Sequence, residues 1–262
     1  MMEGMKYAAQ LYTLRNELKE DFPGVLRELK KRGWEAVQID GLFGYSAEEI
    51  SAVLKETGLE SAGMHIGLDR MKHDLDNVIK EAILFNTKDI FCHYMEEPMQ
   101  NVEGYKQAKR ELLETAQKLE SLGFRVGYHN HDFEFETTVD GKNALDYVLE
   151  PVGNRFIYPE IDTYWIKKAG RDPLSFIKKY TGRTPYLHLK DMTTDGREFF
   201  AEVGTGSIDF EAILSWGQKN GVEWYVVEQD YCEGSPFDSL SVSFNNLKKI
   251  EGSLENKGLE MK

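Results

Sequence analysis

Eight short runs rich in β-branched and aromatic residues recur along the chain, each followed by a longer amphipathic stretch, and this alternation constrains the fold more than any other feature. The runs fall at residues 7–11, 36–39, 61–65, 89–93, 125–129, 156–161, 186–189 and 223–228. The stretches between them carry apolar residues on one helical face, such as Val25, Leu26 and Leu29 over residues 23–32, or Leu112, Leu113, Ala116 and Leu119 over residues 105–122. Ser46 with Glu49 three residues on predicts a helix start. Gly33, Gly58 and Gly123 sit where helices end, and Asp172-Pro173 opens another. Eight strand–helix units in 262 residues predict the α/β class and a single closed (β/α)8 barrel, a fold of typically about 250 residues. The barrel is expected over residues 1–252. A last helix over residues 238–250 then gives way to a charged tail that frays from Glu251 onward, with 253–262 outside the barrel.

Function classes are narrowed by charge. A formal net charge of -13 opposes nucleic acid, whose phosphates call for a basic face, and favours a neutral substrate over a highly phosphorylated one. No apolar run reaches the roughly 18 residues of a membrane span, and the start Met1-Met2-Glu3-Gly4-Met5-Lys6 lacks a secretory pattern, so a cytoplasmic protein is expected. Cys92 and Cys232 form no CxxC pair and read as reduced thiols. No GxGxxG turn follows the first strand, which argues against a dinucleotide-dependent redox enzyme.

In such a barrel the carboxyl ends of the strands form the active rim. Read in order, those ends carry Gln10 and Arg15, Asp40, His65, His93, the run Tyr128-His129-Asn130-His131-Asp132-Phe133-Glu134, Asp162, His188 with Lys190 and Asp191, and Glu228 with Asp230. Any one of these has an ordinary explanation, since a strand-end Asp often caps the next helix. Together they do not, because packing does not require His, Asp and Glu at one end only. Asp162, His188 and Glu228 come from three consecutive strands and supply two carboxylates and an imidazole, a set suited to Mn, Mg, Co or Zn. A divalent ion relieves the repulsion of the two acids.

The segment Gly127-Tyr128-His129-Asn130-His131-Asp132-Phe133-Glu134-Phe135 resembles the Tyr-His-Asn-His signature of the sugar isomerase and epimerase superfamily with xylose-isomerase-like TIM barrels. Glu160-Ile161-Asp162-Thr163-Tyr164-Trp165 resembles its sixth-strand motif, Leu187-His188-Leu189-Lys190-Asp191 its seventh, Val227-Glu228 its last ligand, and Gly204-Thr205-Gly206-Ser207-Ile208-Asp209-Phe210 its glycine-rich segment. The resemblance covers essentially the whole chain. It implies a metal-dependent isomerase or epimerase of a keto-sugar or sugar phosphate, acting through an enediolate, and is compatible with a homo-oligomer. It also implies a fifth-strand glutamate as fourth ligand, and here the chain departs, with His129 at that position and a carboxylate only at Glu134. Either Glu134 folds back to the metal or His129 or His131 replaces it.

With Glu134 taken as the fourth ligand, the expected metal set is Glu134, Asp162, His188 and Glu228. Glu228, His129, Glu134 and Lys190 are the expected proton-transfer and enolate-stabilising groups. Gln10, His65, His93, His131 and Trp165 are expected to bind a sugar or polyol, with Tyr12 and Phe43 as further aromatic wall. Lys190 is either a substrate contact or simply paired with Asp191. Alternatives are a dehydratase of the inosose dehydratase kind, which eliminates from the same enolate, and a non-catalytic sugar-binding barrel. The abasic-site endonuclease branch is disfavoured by only six histidines and by the acidic charge.

Overall fold

Every expected run forms a strand: β1 Tyr7–Gln10, β2 Ala36–Ile39, β3 Glu60–Ile66, β4 Asp89–Cys92, β5 Arg125–His129, β6 Tyr158–Asp162, β7 Tyr186–Leu189 and β8 Trp224–Val227. In the computed structural model, which describes residues 4–260, each pairs in parallel with its neighbours in chain order. The sheet closes where β1 meets β8 through Tyr7↔Tyr225, Ala8↔Val226 and Ala9↔Val227. Among the described residues no helix is long and apolar enough to cross a membrane.

Side chains alternate across each strand, so the barrel wall separates two apolar regions. Outward residues such as Ala9, Val37, Ile39, Ile90, Val126, Leu187 and Val227 pack under the helices in the larger one. The smaller one fills the amino-terminal half of the barrel with Ala8, Ala36, Ala62, Phe91, Tyr186, Trp224 and Val226. Phe91 explains two glycines. A Cβ on Gly127 would lie 2.2 Å from the Phe91 ring and 2.8 Å from the Tyr158 carbonyl oxygen, and one on Gly63, at φ +87°, 3.1 Å from the same ring. Below this plug, Arg125 is bound in bidentate fashion by Asp89 and by Glu223, while Tyr186 donates its hydroxyl to Asp89 at 2.8 Å. The polar half of the barrel is thereby left at the carboxyl ends.

Two helices depart from expectation. The first begins upstream at Arg15 and runs to Lys31, with a break at Asp21, whose Oδ1 accepts from Gly24 N at 2.9 Å, so that the helix restarts at Pro23 where the sequence predicts a start. The last helix spans Pro236–Glu260 and does not fray at Glu251. Glu251 is buried, and its Oε1 accepts from the Met5 backbone N–H at 2.7 Å, tying the helix to the chain just before β1. Residues 1–3 and 261–262, which include the ends of the expected domain and tail, lie outside the described residues.

Substituting Gly127→Ala forces a methyl into the Phe91 ring, an overpacking expected to cost about 1–3 kcal/mol in urea unfolding. Adding Phe91→Leu should recover part of that loss. A Gly127→Ala protein as stable as its parent would contradict this account of the barrel interior.

Candidate metal centre and active site

The two-residue period of the strands stacks inward side chains in tiers, Glu160 below Asp162 on β6 and His188 below Lys190 at the end of β7. In the lower tier Gln10 Nε2 donates to Gln38 Oε1 at 2.6 Å and lies 3.0 Å from His65 Nδ1. Gln38 Nε2 donates to Glu160 Oε1 at 2.6 Å, and His65 Nε2 donates to Glu160 Oε2 at 2.6 Å. His188 Nε2 donates to Gln38 Oε1 at 2.7 Å. His129 Nδ1 lies 3.2 Å from Glu160 Oε2 but off the hydrogen-bonding axis.

In the upper tier His188 turns its Nδ1 to Glu228 Oε2 at 2.9 Å. Lys190 Nζ stands among three carboxylates, 2.6 Å from Asp230, 3.1 Å from Asp162 and 3.2 Å from Glu228. Asp162 has two roles. Its Oδ1 accepts from the backbone N–H groups of Tyr164 and Trp165 at the start of the next helix, at 2.9 and 3.2 Å. Its Oδ2 is buried without a directed hydrogen bond, with Lys190 beside it off axis and His129 Nε2 at 3.8 Å.

One ligand-type atom from each of His129, Asp162, His188 and Glu228 falls within 4.8 Å of the others. Two carboxylates and two imidazoles, one carboxylate oxygen still without a directed donor, fit a divalent ion such as Mn or Zn.

Burial and charge pull the titrating groups apart. Burial disfavours the charged form of His188, but the Glu160 and Glu228 carboxylates outweigh it and raise its pKa to about 10. His65 is likewise raised to about 9 by Glu160 and Asp40 against burial. His129 goes the other way, down to about 3, through burial and the charge on His188, and burial also lowers His131 and His93. Asp162 is pushed up to about 7 by burial, only partly offset by Lys190. Against the same burial penalty, Lys190 and His188 hold Glu228 well below the usual carboxylate range, and His188 and His65 do so for Glu160.

Above these tiers opens a pocket of about 500 Å³ lined by Tyr12, Asp40, His65, His93, Tyr94, His129, His131, Asp132, Phe133, Trp165, Glu228 and Asp230. His93 Nδ1, His131 Nδ1 and Trp165 Nε1 are buried there without a protein partner. His131 stacks on Phe133, with Tyr94 edge-on to both, which fixes the aromatic wall.

The structure therefore brings together Asp162, His188, Glu228, His129 and Lys190, and sets His65, His93, His131 and Trp165 at the pocket. Gln10 lies beneath it. Glu134 is placed elsewhere. Because His129 points inward, Tyr128 points outward, and Glu134 follows Tyr128, accepting from its hydroxyl at 2.7 Å and from the His131 backbone N–H at 2.8 Å. It braces the loop that carries His131, and His129 stands in the fifth-strand position of the donor group. Lys190 does not pair with Asp191, whose carboxylate accepts from the backbone N–H groups of Met192, Gly204, Gly206 and Ile208 at 2.8–3.0 Å. Phe43 packs against Phe22 and is not in the pocket lining. Sequence reasoning missed Gln38 and Glu160, although the period of β6 places Glu160 on the face of Asp162.

A family model described as xylose isomerase-like TIM barrel matches residues 26–249. Among curated proteins, the chain is 27% identical over 171 residues to an inosose dehydratase of Clostridium beijerinckii, covering 58% of this chain and 56% of that protein. The chain thus spans little more than half the length of that relative in the match. An inosose dehydratase of Geobacillus kaustophilus is 24% identical over 275 residues, covering 84% and 87%. Among solved structures, a sugar phosphate isomerase/epimerase from Parabacteroides distasonis superposes with a TM-score of 0.78 at 19% identity, covering 92% of each chain. A 3-keto-D-glucoside 4-epimerase from E. coli superposes with a TM-score of 0.69 at 17% identity, covering 94% and 99%. At these identities the structural likeness speaks for the fold.

The raised pKa values of His65 and His188 set the pH dependence of the metal-free protein. Each binds its proton more tightly folded than unfolded. The stability each contributes is complete below the unfolded value of 6.5 and is lost as pH rises through about 9 and about 10. Thermal unfolding in a chelator is expected to show a midpoint that falls between pH 7 and pH 10, with a shallower fall in His65→Gln. A flat or rising midpoint would contradict these charge states.

Proposed function

The chain belongs to the xylose isomerase-like TIM barrel family, and from that premise we propose that it is a divalent-metal-dependent isomerase or epimerase of an uncharged keto-sugar or keto-polyol. The observation that carries the reading is the convergence of His129, Asp162, His188 and Glu228 at the floor of a pocket whose walls hold neutral imidazoles. A cation held by these four residues supplies Lewis-acid polarisation of a carbonyl and its neighbouring hydroxyl, stabilising the enediolate charge.

The remaining chemistry falls to the chain's own side chains. Glu228, ionised beside Lys190, takes the proton from the carbon between carbonyl and hydroxyl. Lys190 donates toward the oxygen on which charge develops. The neutral imidazole of His131 enters from β5, three strands round the barrel from β8, and hydrogen-bonds a substrate hydroxyl, while the proton held on Glu228 returns to the neighbouring carbon, which is isomerisation. His93 and the Trp165 indole N–H, both without protein partners, hydrogen-bond sugar hydroxyls, and Tyr94, Phe133 and Trp165 cover an apolar sugar face.

The uncharged substrate follows from the lining. Among the described lining residues there is no Lys or Arg, three are Asp and one is Glu, and Lys190 beneath them is already matched by three carboxylates. A phosphate in the pocket would meet these four acids, while Arg15 lies outside the lining, held against the carbonyls of Tyr12 and Asp230.

A second reading, elimination of water from the same enolate, is favoured by the curated relatives named inosose dehydratase. The two share the first proton transfer and part at its fate.

Metal analysis of the purified protein, with deuterium uptake from heavy water into ketoses, inososes and their phosphates, tests both. Expected are one metal per chain, deuterium at the carbon beside the carbonyl of a neutral substrate, and a loss of at least about 100-fold in Glu228→Ala. Faster turnover of a phosphorylated substrate would overturn the assignment of substrate class, and net water loss would select the second reading. A protein that neither takes up metal nor exchanges a proton would overturn the proposal.

A further inference from the structure

The lower tier of the chamber has no part in the proton transfers above, yet its polarity is fully determined. Glu160 sets Oε1 against Gln38 Nε2 and Oε2 against His65 Nε2, each at 2.6 Å, and a carboxylate oxygen accepts. The side-chain amide of Gln38 must then present its NH2 group to Glu160 Oε1, which leaves its oxygen to face Gln10 Nε2 and His188 Nε2. An amide oxygen accepts, so His188 Nε2 carries the hydrogen and its Nδ1 is the nitrogen turned to Glu228 and the upper tier. His129 is arranged the other way round. Its Nδ1 faces Glu160 Oε2 at 3.2 Å, off the hydrogen-bonding axis, and its Nε2 is the nitrogen on the side of Asp162.

We infer that Glu160, directly and through Gln38, positions both histidines of the donor group, so that His188 offers Nδ1 and His129 offers Nε2 to a divalent cation. This rests on the metal reading above. One carboxylate on the barrel axis thereby orients two imidazoles from β5 and β7, where a histidine ligand commonly has an orienting partner of its own. Four features make this a built arrangement. Glu160 and Gln38 have no solvent exposure, and all four of their polar side-chain atoms have partners. Gln10 closes the chain by donating to Gln38 and lying 3.0 Å from His65 Nδ1. The tier sits directly under the donor atoms and not at the pocket wall. Glu160 and Gln38 are positioning residues, since neither lines the pocket.

An amide at position 160 cannot reproduce the pattern. Whichever way it is turned, its NH2 group meets either the NH2 of Gln38 or the N–H of His65, and one contact becomes donor against donor. Gln38→Leu removes the acceptor for His188 while leaving Glu160 in place.

The test uses zinc as the probe because its complex is diamagnetic. Two-dimensional 15N spectra of the imidazoles in the zinc-loaded parent should show His188 bound through Nδ1 with its hydrogen on Nε2, and His129 bound through Nε2 with its hydrogen on Nδ1. Competition with a chromophoric chelator should show zinc affinity about 10–100-fold weaker in Glu160→Gln and in Gln38→Leu, each verified as folded by circular dichroism. Zinc bound to the parent with both histidines using the same nitrogen overturns this inference alone. So does a folded pair of variants whose affinities stay within about threefold of the parent. A parent that binds no zinc or other divalent metal overturns this inference together with the metal reading, and the parent spectra need no variant to fold.

Discussion

An ionised carboxylate buried on the axis of a barrel costs several kcal/mol unless donors and cations surround it, and Glu160 is so surrounded, by Gln38, His65, His188 and, off axis, His129. Much else in the chamber follows from that arrangement. The carboxylate keeps His65 and His188 protonated in the metal-free protein, and the charge on His188 joins burial in holding His129 neutral. His188 in turn helps hold Glu228 ionised. The polar tiers rest on a packed apolar plug, and the Gly127–Phe91 contact is the point where the backbone yields to fill it.

The same logic accounts for the fifth-strand histidine. Glu160, Asp162, Glu228 and Asp230 crowd one end of the barrel, and Lys190 stands against three of them. A further carboxylate from β5 would add a charge with no cation to answer it. A neutral imidazole at His129 gives a donor atom without that charge. Glu134 supplies no substitute, since its two oxygens hold Tyr128 and the backbone of the His131 loop on the outer side of β5.

Most of the fold was legible because strand, helix and cap signals agree locally. The runs at residues 36–39, 125–129 and 186–189 are the strands to the residue, and Ser46 forms the capping box its Glu49 predicts. The last helix was misjudged because the anchoring of Glu251 to Met5 is a contact across 246 residues, invisible to local pattern. The donor group was legible at Asp162, His188 and Glu228, since strand ends point in a known direction. Glu134 was not, because the path of a loop after a strand end depends on which outward residue it meets. Glu160 and Gln38 follow from the two-residue period of β6 and β2, one step below the strand ends where polar residues signal a site. At Asp162 a helix cap and a candidate ligand atom are compatible, for Oδ1 caps the next helix and Oδ2 is left over.

Charge balance carries the argument to the substrate. With a divalent ion in the donor group, His188 gives up its Nδ1 proton, and the four carboxylates of the chamber are answered by the ion, Lys190 and His65. Asp40 and Asp132 at the pocket wall then leave the chamber with a net negative charge. Such a site opposes a phosphate and is indifferent to the charge of an uncharged sugar, and what distinguishes one uncharged ligand from another is the set of unpartnered ring nitrogens on His93, His131 and Trp165. Those groups pair with hydroxyls at fixed positions, and a ligand lacking a hydroxyl there leaves a buried donor or acceptor unpaired, a loss of about 1–3 kcal/mol for each. Under the proposed function, discrimination among uncharged sugars therefore falls to the wall of the pocket, and the proton-transfer chemistry to its floor.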